Sequence, residues 1–360
     1  MQTDLPRKSD SAYFQLLERI QSGYWKIGEA IPGELKLAEQ FNCSRGTIGK
    51  ALTRLSHEGL VKRKTKTGTQ IIRSSIERVA KSIDLDAVAF IYPSEKHEGI
   101  WRTVTGFRNA AVEIGQRTMT LTTGTDYKKE VELIVSLNEL NVKGAVFYLS
   151  VQTPEDQVHI SQALVRSTFP IVLACINLPG MNLPAVFFDD FHAGYTMTKH
   201  VISRGARRIG FFSSSRAPDG CHGYQWALQE TGIQALPELV LLEQRMHADY
   251  EDPLREPSRR AEEYLRTHPG IEAVVCGYDY LAIGIIEAAQ KLGIKVPQDL
   301  LVTGIDDFSC KSPVPLTTYR VPYEEIGQRT FSLLMERIRT GKTSVLENHV
   351  TGHLVVRESA

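Results

Sequence analysis

The sequence predicts an α/β protein in two unequal parts: a small helical head ending in a basic hairpin, then a large body of parallel sheets arranged in two lobes. Three observations predict it. Charge divides sharply along the chain. Up to residue 75, thirteen basic side chains stand against seven acidic ones, a balance of +6, while the remainder holds 29 basic and 35 acidic residues, a balance of −6. A neutral chain divided in this way suggests one part made for a polyanion and another with no use for it. Second, apolar residues recur at helical spacing in the head but fall into alternating β-rich and helical segments in the body. Third, 360 residues, 42% hydrophobic and 23% charged, suffice for two or three domains with real cores.

In the head, Tyr13, Phe14, Leu16, Leu17 and Ile20 recur at helical spacing and Gly23 ends that helix. From Glu34 a short second helix turns Leu35, Leu37, Ala38 and Phe41 inward. Ser44 is a suitable N-cap for a third helix, its hydroxyl free to accept from an orphan amide. There Ile48, Ala51, Leu52 and Leu55 line the inner side, while Arg45, Gly46, Thr47, Gly49 and Lys50 fall toward the start and outer side. Leu60-Val61 begins a strand, and Lys62 to Thr69, which includes Arg63, Lys64, Lys66, Thr67 and Gly68, forms a basic hairpin tip returning through Ile71-Ile72. A helix whose first turn presents amides and a guanidinium suits the major groove of a duplex, and a basic hairpin suits an adjacent phosphate ridge or minor groove. The bland alternative is a solvated hairpin beside an ordinary three-helix subdomain; it accounts for the hairpin but not for the whole ordered series.

The run from Tyr13 to Phe41 (Tyr13, Leu16, Ile20, Gly23, Trp25, Gly28, Ile31-Pro32-Gly33-Glu34, Leu37-Ala38), followed by Ser44-Arg45, Thr47-Ile48, Lys50-Ala51-Leu52, Leu55, Glu58-Gly59-Leu60-Val61, Arg63 and Gly68-Thr69, resembles the winged-helix domain of GntR-type regulators. The likeness implies a winged helix-turn-helix over residues 10–73 in which Arg45, Thr47 and Lys50 touch operator DNA and Gly68 lets the wing approach it. Three positions depart from the pattern. Gly33 replaces a capping Ser, Gly49 replaces an Arg able to read a base, and Lys66 replaces a wing Gly. Fewer base contacts and more phosphate contacts make affinity lean on salt concentration.

Residues 74–86 are polar and without a strong period, and are expected to be a tether. From 87 to 360, β-rich runs (87–92, 118–121, 144–149, 170–175, 186–188, 208–212, 273–276, 301–303) alternate with helical stretches (103–114, 128–140, 156–166, 192–203, 224–230, 259–266, 281–291, 324–338). Apolar strands separated by helices signal parallel sheets covered on both faces, with ligands at the C-terminal strand ends. More than eight such units exceed one small sheet, so two lobes with a cleft are expected. Tyr92, Ser150, Asp189-Asp190 and Asp306-Asp307 follow strands. Carboxylates, hydroxyls and aromatic faces at a cleft suit a polyhydroxy ligand. The alternative is that some of these Asp residues are N-caps, which is the favoured reading for Asp190 and Asp307.

This region resembles the LacI/GalR ligand-binding domain, a relative of periplasmic sugar-binding proteins. The likeness is carried by Phe188-Asp189-Asp190 with Gly194, Arg204-Gly205 with Arg207-Arg208-Ile209-Gly210-Phe211, Gly223-Tyr224, Asp279 with Ala282 and Gly284, Val296-Pro297 with Asp299, Gly304 with Asp306-Asp307, and Pro315-Leu316-Thr317-Thr318. It implies effector contacts from Tyr92, Trp101, Ser150, Asp189 and Asp306. Two positions depart: Gly220 stands where the family often has a ligand-gripping Arg, and Tyr278 where it often has Asn, so Tyr278 is expected to stack on the effector. Arg216 or His222 is placed to compensate for the lost cation.

Other signals fall away. Gly341-Lys342-Thr343 lacks the upstream glycine of a phosphate loop and reads as a helix C-cap. His349 and His353 lie in a strand-like context, where they would stand ~13 Å apart, too far for one zinc. No cofactor, metal site or activated nucleophile is expected, and the Asp pairs are not catalytic dyads because strand neighbours point to opposite faces. The five widely spaced cysteines suit reduced thiols. With no apolar leader or membrane span, the expectation is a cytoplasmic protein. The sequence is thus expected to encode a homodimeric, carbohydrate-responsive transcriptional repressor released from double-stranded operator DNA by its effector. A sugar receptor without DNA function and an enzyme using Asp189 or Asp306 are the rivals.

Overall fold

The computed structural model describes residues 8–57, 59–64, 68–72, 86–151, 153–178, 180–214, 218–243 and 252–360. The chain divides into two compact units, residues 1–82 and 83–360. The expected tether, apart from Asp86, lies outside the described residues, as do Lys66, Thr67 and Arg216.

The first unit contains α1 (Lys8–Gln21), β1 (Ala30–Ile31), α2 (Glu34–Gln40), α3 (Arg45–His57), β2 (Val61–Lys64) and β3 (Gly68–Ile71). Its antiparallel sheet has the order β1-β3-β2. Leu16, Ile20, Leu37, Ile48, Leu55, Leu60 and Ile71 are fully buried together, as their periodicity predicts. Leu35 differs from expectation. It is 66% exposed, because the short α2 buries only Leu37 and Ala38 and Leu35 falls on its outer side.

The second unit consists of two parallel α/β lobes. One lobe holds β4 (Ala87–Tyr92), α4 (Glu98–Glu113), β5 (Arg117–Thr122), α5 (Tyr127–Glu139), β6 (Gly144–Phe147), α6 (Pro154–Val165), β7 (Ile171–Ala174) and β8 (Ala185–Phe188). The chain then enters the second lobe: α7 (Asp190–Ser203), β9 (Ile209–Ser214), α8 (Pro218–Glu230), β10 (Val240–Glu243), α9 (Arg255–Thr267), β11 (Ala273–Cys276), α10 (Asp279–Lys291), β12 (Leu301–Asp306) and β13 (Thr317–Arg320). It returns through α11 (Tyr323–Thr340) and β14 (Glu347–Val350), and crosses a third time to β15 (His353–Val355). The sheets have the orders β14-β8-β7-β6-β4-β5 and β10-β9-β11-β12-β13-β15, parallel except for β13 with β15.

The sequence missed β10 and β13, and read as one strand-like stretch around His349 and His353 what the structure divides into β14 and β15. It also began several helices late. Among them are α4, whose first turn is capped by the His97 side chain, and α10. His349 and His353 fall in strands of different sheets. Gly341 ends α11 in the left-handed region, at φ 69°.

Packing fixes α11 to the first lobe. A methyl group built on Gly106 of α4 would lie 2.0 Å from the Glu324 carbonyl oxygen, so α4 and α11 touch backbone to backbone. That contact sets Tyr323 at the mouth between the lobes. No helix among the described residues is long and apolar enough to cross a membrane.

Candidate nucleic-acid interface and candidate effector cleft

On the first unit, Ser44 caps α3 as its position predicts. Its Oγ accepts from the Thr47 amide at 3.1 Å and lies 2.8 Å from the Thr47 hydroxyl. Arg45 follows, with its side chain 67% exposed and its Nε donating to Glu34 Oε2 at 3.1 Å. Gly46 and Gly49 leave the outer side of α3 bare, and Lys50 is exposed beside them. Arg54, farther along, lies over the Tyr13 ring, 3.8 Å from its centroid. Arg63 and Lys64 sit on β2 opposite Thr69 and Gly68, and Gly68 takes a φ of 83° as β3 begins. Gly33 caps α2 without a side-chain hydrogen bond, as its lack of a hydroxyl requires. The first two turns of α3 therefore offer amides, a guanidinium and an ammonium on an open surface, a set able to meet phosphates and base edges.

In the body, one short segment after β12 gathers the polar chemistry. Asp306 and Asp307 have φ angles of 130° and 59°, a left-handed turn rare for non-glycine residues. It directs the neighbouring carboxylates to different partners. Asp306, 5% exposed, accepts from the Tyr323 hydroxyl at 2.5 Å. The next Asp, Asp307, is paired with Arg320 and Arg357. Asp279, at the start of α10, accepts from the Phe308 amide at 2.8 Å and the Thr318 hydroxyl at 2.6 Å. Burial, reinforced by the neighbouring carboxylate of Asp279, lifts Asp306 well above the usual carboxylate range. For Asp307 burial acts upward too, but Arg357 and Arg320 outweigh it and hold the group low.

The same segment reaches the other lobe. The Ser309 amide and hydroxyl both donate to Glu98, at 2.8 and 3.3 Å. Phe308 stacks near Tyr323 and meets the edge of His97, whose ring also approaches Tyr280. Burial pushes the His97 imidazole down to about 4, so it is neutral at physiological pH. Cys175, at the end of β7, adopts φ 58° and has its thiol pushed up to about 12 by burial. A cavity of about 340 Å³, lined in part by Asp279, Phe308, Ser309 and Arg357, adjoins the network.

The expected effector residues fare unequally. Asp306 is at the centre of the network, though closed over by Tyr323. Asp189 is half-buried and caps α7, its Oδ1 accepting from the His192 amide at 2.9 Å. Ser150 is half-buried, its amide held by Glu130 Oε1 at 2.9 Å. Trp101 is 43% exposed on α4, and Tyr278 is half-buried at the N-cap of α10. Tyr92 is the clear correction. It is 2% exposed, packed in the core with Phe90 and Ile100, and its hydroxyl donates to Glu95 at 3.2 Å. Asp190 caps not its own helix but α8, accepting from the Gly220 amide at 2.9 Å, and Asp307 is an ion-pair centre rather than a cap. His222 stays exposed beside Asp219. Sequence reasoning missed Glu98, His97, Phe308 and Tyr323. Only Phe308, two residues beyond β12, carried a local signal.

Residues 8–71 match the model for bacterial regulatory proteins of the gntR family, and residues 198–360 match that for a periplasmic binding protein-like domain. The arabinose metabolism transcriptional repressor of Geobacillus stearothermophilus is 27% identical over 368 residues, covering 96% of this chain and 95% of that protein. Among solved structures, a complex of the transcriptional regulator CelR with cellobiose superposes at a TM-score of 0.67, with 22% identity, over 92% of this chain and all of that one. The lac repressor dimer bound to operator and the anti-inducer ONPF superposes at 0.65, with 16% identity, over 76% of this chain and 94% of that one.

Proposed function

We infer that this chain, a GntR-type helix-turn-helix domain joined to a periplasmic-binding-protein-like domain, is a transcriptional repressor governed by a small molecule, and not an enzyme. The observation that carries this reading is the joining, in one chain, of an open cationic helix face around Arg45 to a carboxylate-centred network between two lobes around Asp306. The near full-length likeness to an arabinose repressor supports it, as does the fold shared with a regulator bound to cellobiose.

In this reading α3 enters the major groove through Ser44, Arg45, Gly46, Thr47 and Lys50. The wing, with Arg63, Lys64, Lys66, Thr67 and Gly68, follows the adjacent backbone. Two copies bind a near-palindromic operator in the cytoplasm, as the lac repressor binds its operator as a dimer. A carbohydrate is held between the lobes by Asp306, Asp189, Ser150, Tyr278 and Trp101. Because Asp306 already accepts from Tyr323, the effector has to replace or extend that bond. Any such change moves the segment that Ser309 ties to Glu98 at the start of α4. The effector releases the DNA only by favouring one lobe arrangement, and ~1.4 kcal/mol of preference shifts relative occupancy tenfold.

The test is a gel shift of genomic fragments with the full-length protein, repeated across a carbohydrate panel. A retarded fragment released by one sugar is expected. Arg45→Ala should weaken the shift and leave sugar affinity intact, whereas Asp306→Ala should keep the shift and lose the response. Retention of the full response by Asp306→Ala would remove Asp306 from the effector site.

A further inference from the structure

We propose that the Tyr319 phenol is a pin through the three lobe crossings, holding their second-lobe ends together so that the lobes turn about one short hinge. The proposal needs only the two lobes and their crossings, and is independent of what the cleft binds.

The crossings run from Phe188 to Asp190, from Arg320 to Tyr323 and from Val350 to His353. Tyr319, the residue before Arg320 on β13, is fully buried. Its phenol oxygen accepts from the Gly352 amide, in the third crossing, at 2.8 Å. The same oxygen lies 2.8 Å from Nδ1 of His192, three residues beyond Asp189 on α7. The His192 amide donates to Asp189 Oδ1 at 2.9 Å, and the Asp189 amide donates to the Val350 carbonyl at 3.0 Å. One hydroxyl beside the second crossing therefore closes a chain of contacts through the first and the third.

The chemistry fixes the direction of each bond. An amide has only a proton to give, so the phenol accepts from Gly352 and has its own proton left for His192. Nδ1 can take that proton only in a neutral ring that carries its hydrogen on Nε2. Burial pushes the phenol up to about 12, outweighing the Gly352 amide, so its proton is in place at neutral pH. The third crossing also lies hard against the second. A methyl group built on Gly352 would stand 2.0 Å from the Arg320 carbonyl oxygen and 2.7 Å from Tyr319 Cε1.

The pin leaves the bend to a few backbone torsions between the tied residues and the first lobe, at Asp189, Val321-Pro322 and Val350-Thr351. Pro322 narrows the choice further, because its ring fixes φ. Two readings of Tyr319 compete. An ordinary core tyrosine has its hydroxyl partnered only because burial demands it, and its loss lowers stability without moving the lobes. Loss of a pin lengthens the hinge, and the lobes then take up a wider range of separations.

The experiment uses the full-length protein without ligand. Spin labels are attached to ketone side chains introduced at Val135 on α5 and Trp226 on α8, positions 51% and 54% exposed, one in each lobe. Pulsed electron resonance then reads the distribution of interlobe distances. The wild type should give one narrow distribution, which Tyr319→Phe should widen. Hydrogen exchange at the Gly352 amide should quicken about threefold to tenfold in that variant. His192→Phe keeps a ring but removes the acceptor, and should widen the distribution too; the double variant should be no wider than either single one. His192→Asn places an oxygen near the position of Nδ1 and should keep the wild-type width. An unchanged width in Tyr319→Phe, with only a lowered melting temperature, would make Tyr319 a plain core residue and overturn the proposal. Widening by His192→Asn equal to that by His192→Phe would also overturn it, since shape rather than the acceptor would then matter. Should Tyr319→Phe fail to fold, the two His192 variants decide the question by themselves.

Discussion

The outer face of α3 and the network between the lobes both use charged side chains, in opposite ways. On α3, Arg45 is mostly exposed and among the described residues its Nε alone is engaged, so most of its donors face open surface there. Between the lobes, Asp279 and Asp306 are 1% and 5% exposed, and their oxygens are held by Thr318, Phe308 and Tyr323. A surface that recognises a polyanion can leave its charges in water at little cost. A buried site has to satisfy its polar groups before any ligand arrives, since an unmatched one costs 1–3 kcal/mol or so. In the proposed reading, recognition at α3 is therefore addition and recognition at Asp306 is exchange.

Four substitutions probe that contrast. Asp307→Ala should have the largest effect, because it strips two arginines of a common, nearly buried partner. About 3 kcal/mol of stability is expected to go, moderated by the half-exposed guanidiniums, and urea unfolding at pH 7 would measure it. A loss below ~0.5 kcal/mol would show that this buried pairing behaves like a surface one. Glu130 comes next. Burial lifts its carboxyl to about 7, outweighing the Ser150 amide that it accepts from. A carboxyl raised in the folded state contributes stability that is full below its unfolded value, near 4.5, and lost as the pH rises through 7. Glu130→Gln should flatten that fall and leave the variant about 2 kcal/mol more stable relative to wild type at pH 8 than at pH 4; parallel melting curves across that range would refute it. Tyr323→Phe leaves Asp306 without its phenol and should cost ~1–2 kcal/mol while changing the effector concentration needed for release. An unaltered effector response would mean that the ligand never meets this pair. Ser44→Ala removes a cap on an exposed helix and should cost about 1 kcal/mol in thermal unfolding. A cost matching that of Asp307→Ala would erase the distinction between the two regions.

The head was legible almost residue by residue, because its cues are local. Ser44 caps because a hydroxyl precedes a helix, and Leu16, Ile48 and Leu55 are buried because they share a helical face. Leu35 escaped because α2 is too short for a period to separate its inner side from its outer one. In the body, the alternation of strands and helices carried the two-lobed layout, and Asp306, singled out for the cleft, lies in the buried carboxylate network. Its closure by Tyr323 was not readable, since that partner comes from α11 across the lobes. The Glu98–Ser309 tie joins residues more than two hundred positions apart, and no spacing rule reaches that far. Tyr92 misled for a simpler reason: a residue that ends a strand can point past the sheet or pack into the core, and here it packs with Phe90 and Ile100.

The three crossings between lobes have a consequence for how this chain comes into being. The first lobe owns β4 through β8 but also α11 and β14, which are made only after the whole second lobe. On the ribosome its sheet stays without its β14 edge, and β7 and β8 without the helix that covers them, until residues 323–350 emerge. A contiguous fragment ending at Phe188 should then expose the apolar side of a half-covered sheet. A chain nicked between the lobes after folding should hold together, because two other passages and α11 still join them.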